Sequence, residues 1–237
     1  SGLVSIPLTG SDYVGEYKGT MSFAGDTEYK PSSKDFILII NAPDNLTTTE
    51  LTSQDVDTIY NSDAILPVVI TTTDVTNVIG HRIQFRFSNR QGDVYDYEKP
   101  IVSVGDPEYG CNLDLSKVPG GFYDVIITYP VQTTYETSTT FVNVNIKPAP
   151  TSITGTDITV SFNNNTGFEV TVTDVANNEP VVNRYVVFKI DNYSYNGLTD
   201  INGIATFNDM LSLGKRTIYY KVVEDDNYYT SSGDAII

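Results

Sequence analysis

Three stretches of this chain carry the same phrase, and an internal repeat sets the architecture before any single strand is assigned. Gly15 to Ser33, Gly121 to Thr139 and Gly214 to Ser232 align without a gap. Gly15, Asp26, Tyr29, Ser32 and Ser33 fall on Gly214, Asp225, Tyr228, Ser231 and Ser232. In the middle copy, Tyr135, Ser138 and Thr139 hold the last three of these positions. In every copy the tyrosine follows the glycine by 14 positions. A shorter echo links Ile70-Thr-Thr-Thr-Asp-Val75 to Val170-Thr-Val-Thr-Asp-Val175.

Between these marks the chain reads as strands. Ile83, Phe85 and Phe87 alternate with Gln84, Arg86 and Ser88. Tyr123, Val125 and Ile127 do the same, as do Val170 and Val172, Val186 and Phe188, and Ile218 and Tyr220. A period of two with β-branched and aromatic residues marks strands with one buried face. Val68 and Ile70 join the expected core. No stretch of ten or more residues has helical periodicity with caps. Asn196-Gly197 and Asn202-Gly203 read as turns, because both dipeptides tolerate positive φ.

Strands at this spacing make a sandwich or barrel. The repeat selects tandem immunoglobulin-like antiparallel β-sandwiches, strung as beads on short linkers such as Lys147-Pro-Ala-Pro150. The expected units are residues 45–148 and 149–237, the latter ending inside its last strand. Residues 1–44 align only with the end of a unit, strands E, F and G. They are therefore expected to be a C-terminal half, completed by a missing segment, another chain or the middle unit. Its apolar residues Tyr17, Met21, Phe23, Phe36 and Leu38 need an opposing sheet. Gly-Phe-Tyr123 and Gly-Glu-Tyr17 fit a tyrosine corner, in which the hydroxyl ties back to nearby backbone; Arg216 stands there in the third unit.

Charge and composition limit the partners. The 237 residues carry a net charge of −16. Such a surface repels nucleic acid and anionic lipid. There is no apolar run of the ~20 residues that a membrane-spanning helix needs, so this segment is not expected to insert directly.

Few residues invite chemistry. The chain has one histidine, His81, and one cysteine, Cys111. His81 reads as a strand-edge surface residue and Cys111 as a buried small hydrophobe. Neither has the companions that a catalytic or zinc site requires. No catalytic residue and no required cofactor is expected. Carboxylates are dense at Asp55-Val-Asp57, Asp93/Asp96 and Glu224-Asp225-Asp226, so Asp55, Asp57, Asp225 and Asp226 are candidate calcium ligands. Asn45, Asn164 and Asn192 head glycosylation sequons.

One family resemblance rests on these marks. The glycine, its alternating strand and Gly25-Asp26-x-x-Tyr29-x-x-Ser32-Ser33 resemble the closing part of the immunoglobulin-like repeats of methanogen adhesin-like surface proteins. Asp200-Ile-Asn-Gly-Ile-Ala-Thr-Phe207 is similar to theirs as well. The resemblance covers the third unit best, residues 1–42 well, and the middle unit poorly before Gly121. It implies a non-enzymatic extracellular stalk at an archaeal cell surface, serving adhesion, with a surface protein or glycan as ligand. Two alternatives stay open. A carbohydrate-binding accessory region of a secreted enzyme would use exposed aromatics, with Tyr193, Tyr195, Tyr228 and Tyr229 as candidates. A surface-layer or filament subunit would contact only copies of itself.

Overall fold

The computed structural model describes residues 15–40, 46–74, 77–130, 132, 134–161, 167–209 and 213–237. Every element in them is a β-strand. A hairpin comes first, made of β1 (Gly15–Phe23) and β2 (Ser32–Ile40). Next come β3 (Thr49–Ser53), β4 (Val56–Ile59), β5 (Ile65–Thr72), β6 (Arg82–Asn89), β7 (Val94–Pro100), β8 (Val102–Gly105), β9 (Glu108–Asp114), β10 (Gly121–Tyr129) and β11 (Ser138–Lys147). They form two sheets, ordered β4-β11-β10-β6-β7 and β3-β5-β9-β8. All pairs are antiparallel except β4 with β11.

The remaining strands are β12 (Thr151–Gly155), β13 (Phe168–Asp174), β14 (Tyr185–Ile190), β15 (Tyr193–Leu198), β16 (Ile204–Phe207), β17 (Thr217–Val222) and β18 (Ser232–Ile236). Their sheets run β12-β13-β16 and β15-β14-β17-β18. Both groups are sandwiches of the immunoglobulin-like kind, each made of two sheets between which the chain crosses several times.

Alternation sets the cores. Val68, Ile70, Ile83, Phe85, Tyr123, Val125 and Ile127 are buried in one cluster. Val170, Val172, Val186, Phe188, Ile218 and Tyr220 are buried in another. Edge-to-face ring pairs such as Phe87–Tyr123 and Phe168–Phe188 occupy the space between the sheets. The clusters are not isolated, because Tyr60 packs against both. The expected beads on linkers are therefore corrected. Ala149 of the linker is buried and pairs with Tyr228, since its amide and carbonyl complete a backbone ladder.

The repeated phrase has a structural task at each position. Gly15↔Ile40, Gly121↔Ile146 and the pairs between them set one register for β1–β2 and β10–β11. Ile218↔Ala235 in β17–β18 continues that same register, matching Val125↔Val142 and Gly19↔Phe36. At the ribbon's turn, the amides of Asp26, Gln132 and Asp225 donate to the carbonyls of Tyr29, Tyr135 and Tyr228 at 2.9, 3.2 and 3.1 Å. Asp26 and Asp225 each also accept, through Oδ1, the tyrosine's own N–H. The serine is a clasp: Thr49 bonds Ser138 at 2.8 Å, and Thr151 bonds Ser231 at 2.7 Å.

In the hairpin, β1 and β2 pair only with each other among the described residues. Tyr17, Met21, Phe23 and Phe36 are exposed along one face. Phe36 lies over Gly19, where a Cβ would come within 2.6 Å of its ring.

One turn differs from expectation. Asn196 and Gly197 lie inside β15, paired with Val187 and Val186. The turn is two residues long and earlier, at Asp191-Asn192, with Asp191 at φ 51°. Gly197 serves packing instead, since a Cβ there would meet Phe188 at 2.9 Å. Gly203 does turn the chain, at φ 74°.

Candidate functional site

The candidate residues separate into structural posts and one exposed face. His81 is half-buried, not on the strand-edge surface expected for it. It immediately precedes β6, and its Nδ1 lies 2.7 Å from the hydroxyl of buried Tyr129. Its ring also meets the edge of Tyr135, whose hydroxyl donates to the Asp74 carbonyl at 3.0 Å. Burial pushes the Tyr129 hydroxyl well above the ordinary phenol range. The phenol of Tyr129 hydrogen-bonds this imidazole, and the Tyr135 ring flanks it.

The third unit rebuilds the same corner with other residues. Arg184 immediately precedes β14 as His81 precedes β6, and its guanidinium stands 5.2 Å from the Tyr228 ring centre. Its Nη1 pairs with Asp225 at 2.8 Å. A cation or imidazole set against the turn tyrosine thus recurs in both sandwiches. The sequence phrase contained the tyrosine but not its companion, which stands just before a strand, 54 residues earlier in the middle unit and 44 earlier in the third.

Cys111 is buried in β9, opposite Val68 in the other sheet from His81. Burial raises its thiol to about 11, so it is protonated and unreactive at neutral pH. The structure does not bring the two together into one site.

Each described candidate carboxylate already serves the fold or lies open. Asp55 accepts the Asn143 amide at 2.7 Å. Asp57 is held by Lys147 at 2.9 Å and by Asn145. Asp225 caps its turn and pairs with Arg184. Asp226 presents its backbone carbonyl close to Gly120. Among the described residues, no three His, Cys, Asp or Glu side chains converge. Asn192 is exposed in the β14–β15 turn, while Asn45 and Asn164 lie outside the described residues.

The four candidate tyrosines do not form one platform. Tyr195 packs on Phe207 at 4.9 Å, and Tyr228 meets Tyr60 at 5.3 Å. Only Tyr193 and Tyr229 stay exposed.

The exposed face is on the middle unit. The outer side of β11-β10-β6-β7 carries a cross-strand row, Phe141–Ile126–Arg86–Asp96. Phe141 and Ile126 are exposed at its apolar end. Arg86 faces Asp96 at 3.9 Å, Arg82 reaches Glu98 at 3.7 Å, and Gln84 donates to Glu98 at 3.1 Å. A depression of about 400 Å³ lies between them, lined by Gln84, Arg86, Asp96, Glu98, Ile126 and Thr128. The signal in the sequence was the outward half of the same alternation that marked the core. An apolar strip beside paired charges on an exposed sheet face can bind a surface.

The sequence matches no protein-family model and no curated protein. Among solved structures it is similar to a tetra-tandem repeat in the extending region of a large adhesion protein. That likeness has a TM-score of 0.43 and 14% identity, over 94% of this chain and 56% of that one. It is similar to fibronectin(III)-like modules of Clostridium thermocellum CbhA, at TM-score 0.31 and 12% identity, over 78% of this chain and 92% of that one. It is also similar to the Yersinia pseudotuberculosis adhesin InvE, at TM-score 0.34 and 12% identity, over 80% and 58% of the two chains. The chain thus spans little more than half of the first of these structures. Likeness this distant carries no argument about function, and the fold assignment rests on the strand pairing described above.

Proposed function

We propose that this chain is a non-enzymatic segment of an extracellular cell-surface stalk. Its sandwiches supply reach, and the outer face of β11-β10-β6-β7 contacts a surface protein or glycan. The observation that carries this is the row Phe141–Ile126–Arg86–Asp96. It exposes two large apolar side chains beside self-paired charges, on a sheet face that also exposes Phe122 and Val94. Apolar patches rimmed by polar residues mark interaction sites on soluble proteins. The tandem sandwiches and the resemblance of the repeat phrase to those of adhesin-like surface proteins support the cell-surface assignment.

The layout forms part of the proposal. Residues 45–148 and 149–237 are two units, and residues 1–44 are the C-terminal half, strands E, F and G, of a further one. The register shared by β1–β2 and β17–β18 supports this.

The test is binding by the immobilised chain to intact cells, to a glycan array and to itself, with Ile126→Glu and Phe141→Glu compared to the parent. Binding lost in folded variants supports the face. Undiminished binding in both moves the contact elsewhere, and no binding to any of the three leaves only a spacer.

A further inference from the structure

The boundary between the two sandwiches contains more side-chain chemistry than a flexible linker needs. The Gly120 amide donates to Asn227 Oδ1 at 2.7 Å, across 107 residues of sequence. A Cβ on Gly120 would lie 1.7 Å from the Asp226 carbonyl oxygen and 2.6 Å from its carbon. The two backbones therefore touch at a spot that only glycine permits. Gly120 does not have positive φ, so its lack of a side chain serves the contact and not its own conformation.

Around that spot the contacts form layers. The edge of the Tyr60 ring meets Tyr228, at an interplanar angle of 83°. Arg184 covers Tyr228 and is fixed by Asp225. Asn61 reaches Lys117 within its own unit and Glu179 across the boundary. The connecting segment is itself bonded on both sides. The Tyr60 amide donates to the Lys147 carbonyl, and the Ala149 amide to the Asn227 carbonyl, each at 2.8 Å. Thus the peptide leaving one sandwich is already a ladder partner in the next.

We propose that the middle and third sandwiches form one rigid body, locked by the Gly120–Asn227 contact. This goes beyond the stalk reading and does not depend on the binding face. Interfaces between domains of one chain are usually mobile unless they are large and apolar. Here a backbone-to-backbone approach, an aromatic pair of half-buried Tyr60 on buried Tyr228 and a hydrogen-bonded connector replace area. No metal is needed for the stiffness.

The experiment measures distance distributions between spin labels in the full chain. Labels at Thr139→Cys and Asp234→Cys report across the boundary, because both positions are exposed. Labels at Thr139→Cys and Asp96→Cys report within one sandwich. Cys111 stays unlabelled because it is buried. The expected result is a distribution across the boundary as narrow as the one within the sandwich. Gly120→Ala should broaden the first at least two-fold and leave the second unchanged. Asn227→Ala removes the bond from the other side and should broaden it as well, which decides the matter if Gly120→Ala fails to fold. A parent distribution already broad across the boundary overturns the proposal. So does a narrow one that survives in the folded variants.

Discussion

The hydroxyl of Tyr123 donates to the carbonyl of Pro119 at 2.9 Å and lies 3.4 Å from that of Gly120. This closes the tyrosine corner expected from Gly-Phe-Tyr123 and fixes the loop that carries Gly120. Tyr123→Phe keeps the buried ring but leaves the Pro119 carbonyl unpaired. Chemical denaturation should show a loss of about 1–2 kcal/mol. A change near zero would mean that solvent replaces the bond without cost.

Phe188 is fully buried among Phe168 and Phe207. Phe188→Ala should cost about 3–5 kcal/mol. A second transition for the third sandwich should then separate in thermal unfolding, while the signal of the middle sandwich stays in place. A loss under about 1 kcal/mol would contradict the burial of that ring.

Strong alkali should loosen the boundary. Burial, with the neighbouring Tyr60 adding to it, raises the Tyr228 hydroxyl from its ordinary 10.0 to about 12. A raised folded-state value means that the neutral phenol is the form the fold favours. Its contribution is complete below about pH 10 and is lost as pH rises through about 12. Tyr123 and Tyr129 shift in the same direction, for the same main reason. Denaturant midpoints should therefore fall steeply between pH 10 and 12. Tyr228→Phe should flatten the part of that fall that belongs to the boundary.

Cys111 gives a probe of opening. Its thiol, raised to about 11 by burial, should resist a thiol reagent at pH 8 in the folded chain and react at once in denaturant. Rapid reaction without denaturant would show that β9 leaves the sheet under native conditions.

The β1–β2 hairpin should report its uncovered face. Tyr17, Met21, Phe23 and Phe36 are exposed together. Met21→Lys with Phe23→Thr should lower the fluorescence of a hydrophobic dye bound to the chain, without moving the melting of either sandwich. An unchanged dye signal would mean that something already covers the face.

Much of the fold was legible because the period of two is a local property. Every core residue expected from alternation at 68–70, 83–85, 123–127, 170–172, 186–188 and 218–220 is buried. The corner at Tyr123 was legible for the same reason, since its partners lie three and four residues away. The posts on the turn tyrosines were not. His81 and Arg184 share no residue type, and they reach Tyr135 and Tyr228 only after a strand from the middle of a unit is brought beside one near its end. Gly197 was misjudged because a glycine that makes room for Phe188 looks the same in sequence as one that turns the chain. Nor could the boundary contact be read, because a missing Cβ at Gly120 has meaning only opposite Asp226.

That missing Cβ also distinguishes one copy from another. The repeat aligns Gly120 with Leu213, which is exposed in the third sandwich. A leucine side chain at that position could not admit the carbonyl that Gly120 admits. The two sandwiches therefore cannot exchange places along the thread. If duplication produced them, their order is now written into the chain, and shuffling the modules would yield the same domains without the seam between them.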